Sequence, residues 1–261
     1  MSLSAIQSER ASLSDLVKTP YIQVLTYPRI SLGTAKARVR QLSSLGVEEL
    51  VFEGKTKIGR LGLLGLGTVG VVVRARVDDQ YLALKIRRTD ANRPNMDNEF
   101  ALTTLANRVG VGAPVFKHTK DMILMGLLEY VEIDDWVRRL EGRGKRAKLK
   151  ELVHATLNQC RKLDIIDLDH GQLSNLRKHV VVADGKPWMI DFESASTRRK
   201  PRNVTTAAQY LFVGGRLSPA VRRILGVKDT GPLRLMLRGY KEDLSDIHYA
   251  KILEWLGIPA G

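Results

Sequence analysis

The amino-acid sequence predicts an α+β fold of two lobes, preceded by a small helix-rich appendage. Three observations carry this reading. A strand, glycine loop and second strand follow one another from Leu61, with β-branched residues crowding the glycines. The strands come early with one helix among them, and helices dominate afterwards around one short hairpin. A doubly wound parallel sheet would alternate strand and helix throughout, which this order does not. Hydrophobic residues make up 44% of the 261 positions and charged residues 27%, so the chain can bury a real core and is not a disordered tail. The expected divisions are residues 1–56 for the appendage, 57–131 for the first lobe and hinge, and 132–261 for the second lobe.

In the appendage, residues 14–17 close a weak helical pattern. Ser31 or Thr34 can cap a helix carrying Ala35, Val39 and Leu42 at helical spacing, which stops near Gly46. Residues 47–52 read as a strand ended by Gly54. This unit fits a winged-helix variant or an irregular extension packed on the next domain. Strands are then expected over 61–66 and 69–77, a tight turn at Asp78-Asp79, and a third strand over 81–86. A helix opens after Pro94 and closes before Gly110. Residues 122–128 read as a strand, 133–140 and 147–163 as helices. Residues 179–183 and 188–192 form a hairpin around Asp184-Gly185, and 204–256 are mainly helical. The basic stretch 142–150, GRGKRAKLK, reads as a mobile loop.

Several function classes drop out on composition. No run approaches the ~20 apolar residues that cross a bilayer. The opening MSLSAIQSER lacks a basic stretch followed by an apolar one, so no secretory signal is expected. The single cysteine, Cys160, excludes an internal disulfide and a cysteine-rich zinc site, and fits a reducing cytoplasm. The five histidines show no metal-ligand spacing. Charge is the strongest signal: 42 Lys and Arg against 28 Asp and Glu, a net of +14. The excess is +5 over residues 1–140 (20 basic, 15 acidic) and +9 over 141–261 (22 basic, 13 acidic). A fold does not need that excess, and the partner it favours is a polyanion such as RNA or DNA.

Four groups of residues carry chemistry. The loop G-L-G-T-V-G-V-V places Gly65, Gly67 and Gly70 where backbone amides can approach phosphate oxygens without a Cβ in the way. A dinucleotide-binding turn needs a helix directly afterwards, whereas Val69, Val71, Val72 and Val73 favour a hairpin. Fifteen residues after Gly70, Lys85 sits near the end of a strand, on the face shared with Ala83 and opposite Leu82 and Leu84. There it can reach α and β phosphates. A buried ammonium needs a counter-charge, and Glu99 on the next helix supplies one. Asp191 ends a short strand in I-D-F-E, where a carboxylate can bind Mg²⁺ bridging phosphate oxygens. Upstream, one of Asp167 and Asp169 can accept a proton from an attacking hydroxyl.

In this order the pieces resemble the protein-kinase-like fold over residues 61–199. The glycine loop matches G-x-G-x-x-G-x-V in full, down to Val72. Ala83-Leu84-Lys85 looks like the V-A-I-K strand with Glu99 as its helix partner. Leu128-Glu129-Tyr130-Val131 looks like the adenine-holding hinge, so the resemblance adds Leu128, Glu129 and Val131 to the ATP-binding set. Asp169 looks like the catalytic-loop aspartate, and Asp191-Phe192 like the start of D-F-G. Three departures stand out. Glu193 replaces the glycine of D-F-G. The second metal-binding residue, five positions after Asp169, falls on Ser174, which leaves Asn175 or, on a strand alignment, His179. Aligning Gln172 with the catalytic aspartate instead would leave no base. No A-P-E follows Asp191; Arg198, Arg199, Lys200 and Arg202 follow instead, at the place where protein kinases hold a peptide.

The segments K-I-R-R-T-D-A-N-R, D-H-G-Q-L and I-D-F-E-S-A-S resemble an archaeal RIO-like group of atypical kinases, the predicted serine/threonine kinases, and are similar to the archaeal tRNA 2′-kinases. The resemblance implies ATP and Mg²⁺ (or Mn²⁺) as cofactors, a hydroxyl acceptor in tRNA or another structured RNA, and no membrane partner. Asp169 and Lys85 would be catalytic, Asp191 with Asn175 or His179 would hold metal, and Arg198, Arg199, Lys200 and Arg202 with Arg143, Lys145 and Arg146 would hold the RNA backbone. Two other functions are compatible with the same residues: a serine/threonine kinase acting on protein, and a degenerate nucleotide-sensing RNA-binding protein.

Overall fold

Eight residues of alternating burial, Gly70–Val77, form the central strand of an antiparallel sheet. The computed structural model describes residues 8–258. The chain runs through β1 (Glu9–Ser12), α1 (Ile22–Leu25), α2 (Leu32–Leu45), β2 (Val47–Phe52), β3 (Thr56–Ile58), β4 (Leu61–Leu63), β5 (Gly65–Leu66), β6 (Gly70–Val77), β7 (Gln80–Arg87), α3 (Asp97–Arg108), β8 (Val115–Thr119) and β9 (Met122–Met125). Next come β10 (Val131–Glu132), α4 (Ile133–Arg138), α5 (Lys145–Ile165), α6 (Leu176–His179), β11 (Val180–Ala183), β12 (Lys186–Met189), α7 (Asn203–Gln209), α8 (Ser218–Leu225), α9 (Gly231–Asp243) and α10 (Asp246–Trp255). The protein is therefore mixed α+β with antiparallel sheets. It divides into two units. One holds residues up to Thr104 together with Ala113–Leu128; the other holds Leu105–Gly112 and Glu129–Gly261. Among the described residues, no helix is long and apolar enough to cross a membrane.

In the first unit the sheet runs β1-β2-β6-β7-β9-β8, with β5 also on β6. Asp78 and Asp79 both take positive φ (46° and 62°), the geometry of a two-residue hairpin turn whose twist matches that of the strands it joins. The appendage residues, expected as a winged-helix variant or as an extension packed on the next domain, belong to this unit. β2 pairs with β6, Leu50 opposite Ala75, and Ala35, Leu42 and Leu45 share one core with Val71, Val73, Leu84 and Ile86. The physical reason is that α2 carries an apolar stripe that must be covered, and the sheet offers the face. Ser31 caps α2 by accepting from the Thr34 amide, and Gly46 ends it with φ 82°. Arg38 of α2 is 1% exposed; it donates to Leu25 O at 2.6 Å and to Asp121 Oδ1 at 3.3 Å. Asp121 also accepts from Arg87 at 2.6 Å and Gln41 at 2.9 Å, tying α2 to the neighbouring strands.

The second unit pairs β10-β11-β12 and surrounds α5, whose buried face carries Leu152, Val153, Leu157 and Cys160. Burial pushes the Cys160 thiol pKa well up, so it is a core residue and no nucleophile. The β11–β12 turn again uses two positive-φ residues, Asp184 (50°) and Gly185 (74°).

Local expectations differ from the structure at several places. The single strand over 61–66 is split, because β4 pairs with β3 while β5 turns onto β6. Residues 14–17 form turns rather than helix. The strand over 122–128 stops at Met125, and β8 was not anticipated; it is an edge strand whose Phe116, Lys117 and His118 face solvent, so it lacks the alternation that marks a half-buried strand. Residues 142–150 are not a loop throughout. Lys145 opens α5, since Lys, Arg, Ala and Leu are strong helix formers and only Gly142 and Gly144 resist. His179 closes α6 instead of opening the hairpin strand, and the second strand ends at Met189.

Candidate active site

The first unit brings the glycine turn and Lys85 together through register. Gly65 pairs with Val72, Val72 with Lys85, and Lys85 with Ile123, a row across four strands. Leu84 and Ile86 are fully buried in the α1–α2 core, so the strand's alternation turns Lys85 to the opposite face. There its Nζ donates to Glu99 Oε1 of α3 at 2.6 Å, with side-chain exposures of only 9% and 5%. Two charges this far from water persist only when paired. Gly70 lies against the same lysine: a Cβ there would stand 2.9 Å from Lys85 Cγ and 3.2 Å from Ile86 O, so close approach demands glycine.

The glycine turn is closed by the Gly67 amide donating to Gly70 O at 2.8 Å. Arg88, which the sequence reading missed, clamps it. Its amide donates to Val69 O at 2.8 Å and its guanidinium to Gly67 O at 3.1 Å. The guanidinium also lies 5.1 Å from the Tyr27 ring centre and pairs with Asp90 at 2.7 Å, which raises the Arg88 pKa. The signal was present in the hairpin register, since Arg87 pairs with Gly70 and places the next residue beside Val69. Leu128 is half-buried at the end of this unit; Glu129, exposed, and Val131, in β10, begin the second.

In the second unit, Asp169 exchanges two backbone hydrogen bonds with Ser196, at 3.0 and 2.9 Å. Arg199 Nη2 lies 3.0 Å from Asp169 Oδ2 and donates to Ser194 O at 2.6 Å. Gly171, at φ 83°, lets Arg199 in; a Cβ there would meet Nη2 at 2.5 Å. Asp167 is exposed and lies outside this arrangement. The loop is held from beneath by a hub that the sequence reading also missed. The Asn203 side chain accepts from the His170 amide at 2.9 Å and donates to Asp164 Oδ1 at 2.8 Å and Leu168 O at 2.7 Å. Asp164 further accepts from the Val204 amide and the Tyr240 hydroxyl. Burial raises the Asp164 pKa against those donors. Its sequence signal is weak, because the partners are 39 and 76 residues away.

Asp191 takes φ 68°, a left-handed conformation rare for a non-glycine residue and worth a functional explanation. Its Oδ2 lies 3.8 Å from His179 Nδ1. Asn175, the alternative, is exposed at the start of α6. His170 packs on Phe192 and His179, with ring centres at 4.8 and 5.4 Å; burial, then the His179 charge, lower its pKa to about 4, so it is neutral at pH 7. Among the described residues, no group of three or more His, Cys, Asp or Glu could hold a metal ion. The hard carboxylate of Asp191 suits Mg²⁺, an ion that keeps several waters and binds through one or two carboxylates plus substrate phosphates.

Asp169, Arg199, Lys200 and Arg202 line a cleft of about 530 Å³ floored by Gly171, Leu173, Ser174 and Asn203. Arg198 is exposed beside it, its amide bonded to Ser196 Oγ. Arg143, Lys145 and Arg146 are exposed at the start of α5 and do not line this cleft.

The fold and these side chains define a mixed α+β protein with a buried lysine–glutamate pair under a glycine turn and an aspartate in a cationic cleft. No family model matches the chain. A protein of Methanocaldococcus jannaschii described as uncharacterized is 29% identical over 97 residues, covering 36% of this chain and 83% of the relative.

Proposed function

We propose that the protein is a kinase of the RIO-like type that transfers the γ-phosphoryl group of ATP to a hydroxyl of RNA, with tRNA the preferred acceptor. The observation that carries the reading is Asp169 set among Arg199, Lys200 and Arg202 in one cleft, a proton acceptor surrounded by phosphate-binding cations. A peptide platform would not need that charge, which favours RNA over the protein-kinase alternative.

Gly65, Gly67 and Gly70 lie close to the triphosphate, and Lys85, oriented by Glu99, binds its oxygens. Leu128, Glu129 and Val131 take the adenine. Asp191, with His179 or Asn175, would hold Mg²⁺, which neutralises phosphate charge when bound. Asp169 orients the acceptor hydroxyl and takes its proton. The acceptor oxygen forms the new P–O bond as the bond from Pγ to the β,γ-bridging oxygen breaks, and ADP leaves with that electron pair. Such transfer depends mostly on positioning and charge stabilisation, which suits a small set of groups.

The test is incubation with γ-labelled ATP and Mg²⁺ or Mn²⁺, once with total tRNA and once with total protein. Label in RNA supports the reading. Label in protein alone favours the serine/threonine kinase, and nucleotide binding without turnover favours the degenerate sensor, to which Glu193 in the glycine position of D-F-G also points.

A further inference from the structure

A second groove, of about 380 Å³, adjoins the Asp169 cleft and shares Arg202 and Thr206 with it. It is lined by Arg202, Arg234, Arg238 and Lys241, with Thr205, Thr206, Gln209 and Leu237 between them, and no carboxylate lines it. Sequence reading passed over these cations because they are scattered through a helical stretch, not clustered. The fold aligns them. Arg234, Arg238 and Lys241 fall at i, i+4 and i+7 of α9, one face of the helix, while Leu233, Leu237 and Tyr240 turn into the core. All four cations are exposed, and none has an ion-pair partner among the described residues. Of the nearby acids, Asp243 pairs with His248 at 2.9 Å and Asp164 is held within its hub, while Glu242, exposed beside Lys241, forms no ion pair with the groove's cations. Lys200 Nζ donates to the Glu242 carbonyl at 2.8 Å, joining the strip after Asp191 to the end of α9.

We propose that this groove is a second RNA-backbone subsite, in which Arg234, Arg238 and Lys241 hold phosphates flanking the nucleotide whose hydroxyl faces Asp169. The inference rests on the kinase reading for the identity of the occupant. A polyanion with an internal hydroxyl beside its phosphates is RNA; DNA lacks that hydroxyl. The dimensions agree. Arg234 to Lys241 spans about 10 Å at 1.5 Å rise per residue, so the three cations follow a run of backbone and not a single phosphate. Unpaired, exposed cations facing one groove with no acid among them also make a poor structural device, since their mutual repulsion costs stability.

The experiment measures binding of fluorescently labelled total tRNA, without nucleotide, as a function of salt. For Arg234→Ala/Arg238→Ala the expected result is roughly tenfold weaker binding at physiological salt and a log K against log [salt] slope shallower by about 1.5. Lys241→Ala alone is expected to flatten the slope by about 1. These side chains have no partner to lose and repel one another, so the thermal midpoint should hold or rise. A slope and affinity equal to wild type in both variants would overturn the proposal. So would poly-glutamate displacing tRNA at equal charge concentration, which would assign the groove to an acidic protein. Because no ATP is present, failure of phosphoryl transfer would sink the kinase reading while leaving this binding result standing.

Discussion

Arg199 Nη2 bridges two acceptors, Asp169 Oδ2 at 3.0 Å and Ser194 O at 2.6 Å, and so ties the orientation of the Asp169 carboxylate to the backbone after Asp191. The guanidinium plane fixes the directions of both bonds, whereas an ammonium on a flexible stem sets neither. Asp169→Asn should therefore lower kcat by on the order of 10²–10⁴. Arg199→Ala should lower kcat less, by roughly tenfold, and raise the KM for RNA, with Arg199→Lys recovering the KM more than the kcat. Steady-state kinetics with RNA as the varied substrate would check this; a loss confined to the KM for ATP would contradict it.

The lysine–glutamate pair makes a prediction in stability. Lys85→Met leaves the Glu99 carboxylate buried, with 5% of its side chain exposed and no counter-charge. Breaking a buried pair on one side costs about 3–5 kcal/mol. The double change Lys85→Met/Glu99→Gln should recover most of that stability yet bind ATP no better than the single change. Denaturant unfolding and nucleotide titration, run on all three proteins, separate the two effects.

Gly70→Ala would place a methyl group 2.9 Å from Lys85 Cγ. Lys85 is buried and held by Glu99, so the methyl group must displace it: stability should drop and ATP affinity fall by roughly tenfold, about 1.4 kcal/mol. Gly33→Ala, with nothing within 4 Å, is the contrast: in the first turn of α2 it should leave ATP binding alone and add a few tenths of a kcal/mol of stability.

For the second metal contact that the proposed function calls for, His179 lies beside Asp191, 3.8 Å away, and Asn175 is exposed on the turn before α6. His179→Ala should raise the Mg²⁺ concentration needed for half-maximal transfer by about tenfold or more, the size of effect seen when a metal site loses a supporting group. Asn175→Ala should change it less than twofold. The opposite order would move the role to Asn175.

The Arg38–Asp121 network predicts acid sensitivity in the first unit. Burial alone would raise the Asp121 pKa, but hydrogen bonds from Gln41 and Arg87 and the charges of Arg38 and Arg87 outweigh it and hold it below 3.8. A depressed carboxyl contributes stability that is full above its unfolded value and is lost as pH falls through the folded one. Unfolding midpoints measured from pH 6 down to pH 2 should fall more steeply for wild type than for Asp121→Asn.

Much of the fold was legible because it rests on local signals. Alternation in residues 70–77 and 81–86, turn aspartates at 78 and 79, the Ser31 cap and the Gly46 stop each carry their own geometry. Lys85 and Glu99 were legible because strand alternation and burial leave the lysine one face and one need. What escaped was non-local or unpatterned. The joining of β2 to β6 depends on pairing between segments some 25 residues apart, and the edge strand β8 shows solvent three residues in a row. Arg88, Asn203 and the α9 cations act only once distant segments meet. The basic stretch at 142–150 misled in the other direction: its charge suggested a loop, while its helix propensity made it the start of α5.

Phosphorylation of an RNA hydroxyl by this chain, as proposed above, would leave a covalent mark on the RNA. Mass spectrometry of tRNA nucleosides after incubation with ATP and Mg²⁺ reads it directly. The expected product is a nucleoside heavier by one phosphoryl group, from RNA whose adjoining linkage resists nucleases that need a free 2′-hydroxyl, and it should be missing when Asp169→Asn replaces wild type. Unmodified RNA in the presence of wild-type protein, with phosphate instead on serine or threonine of an added protein, would contradict it.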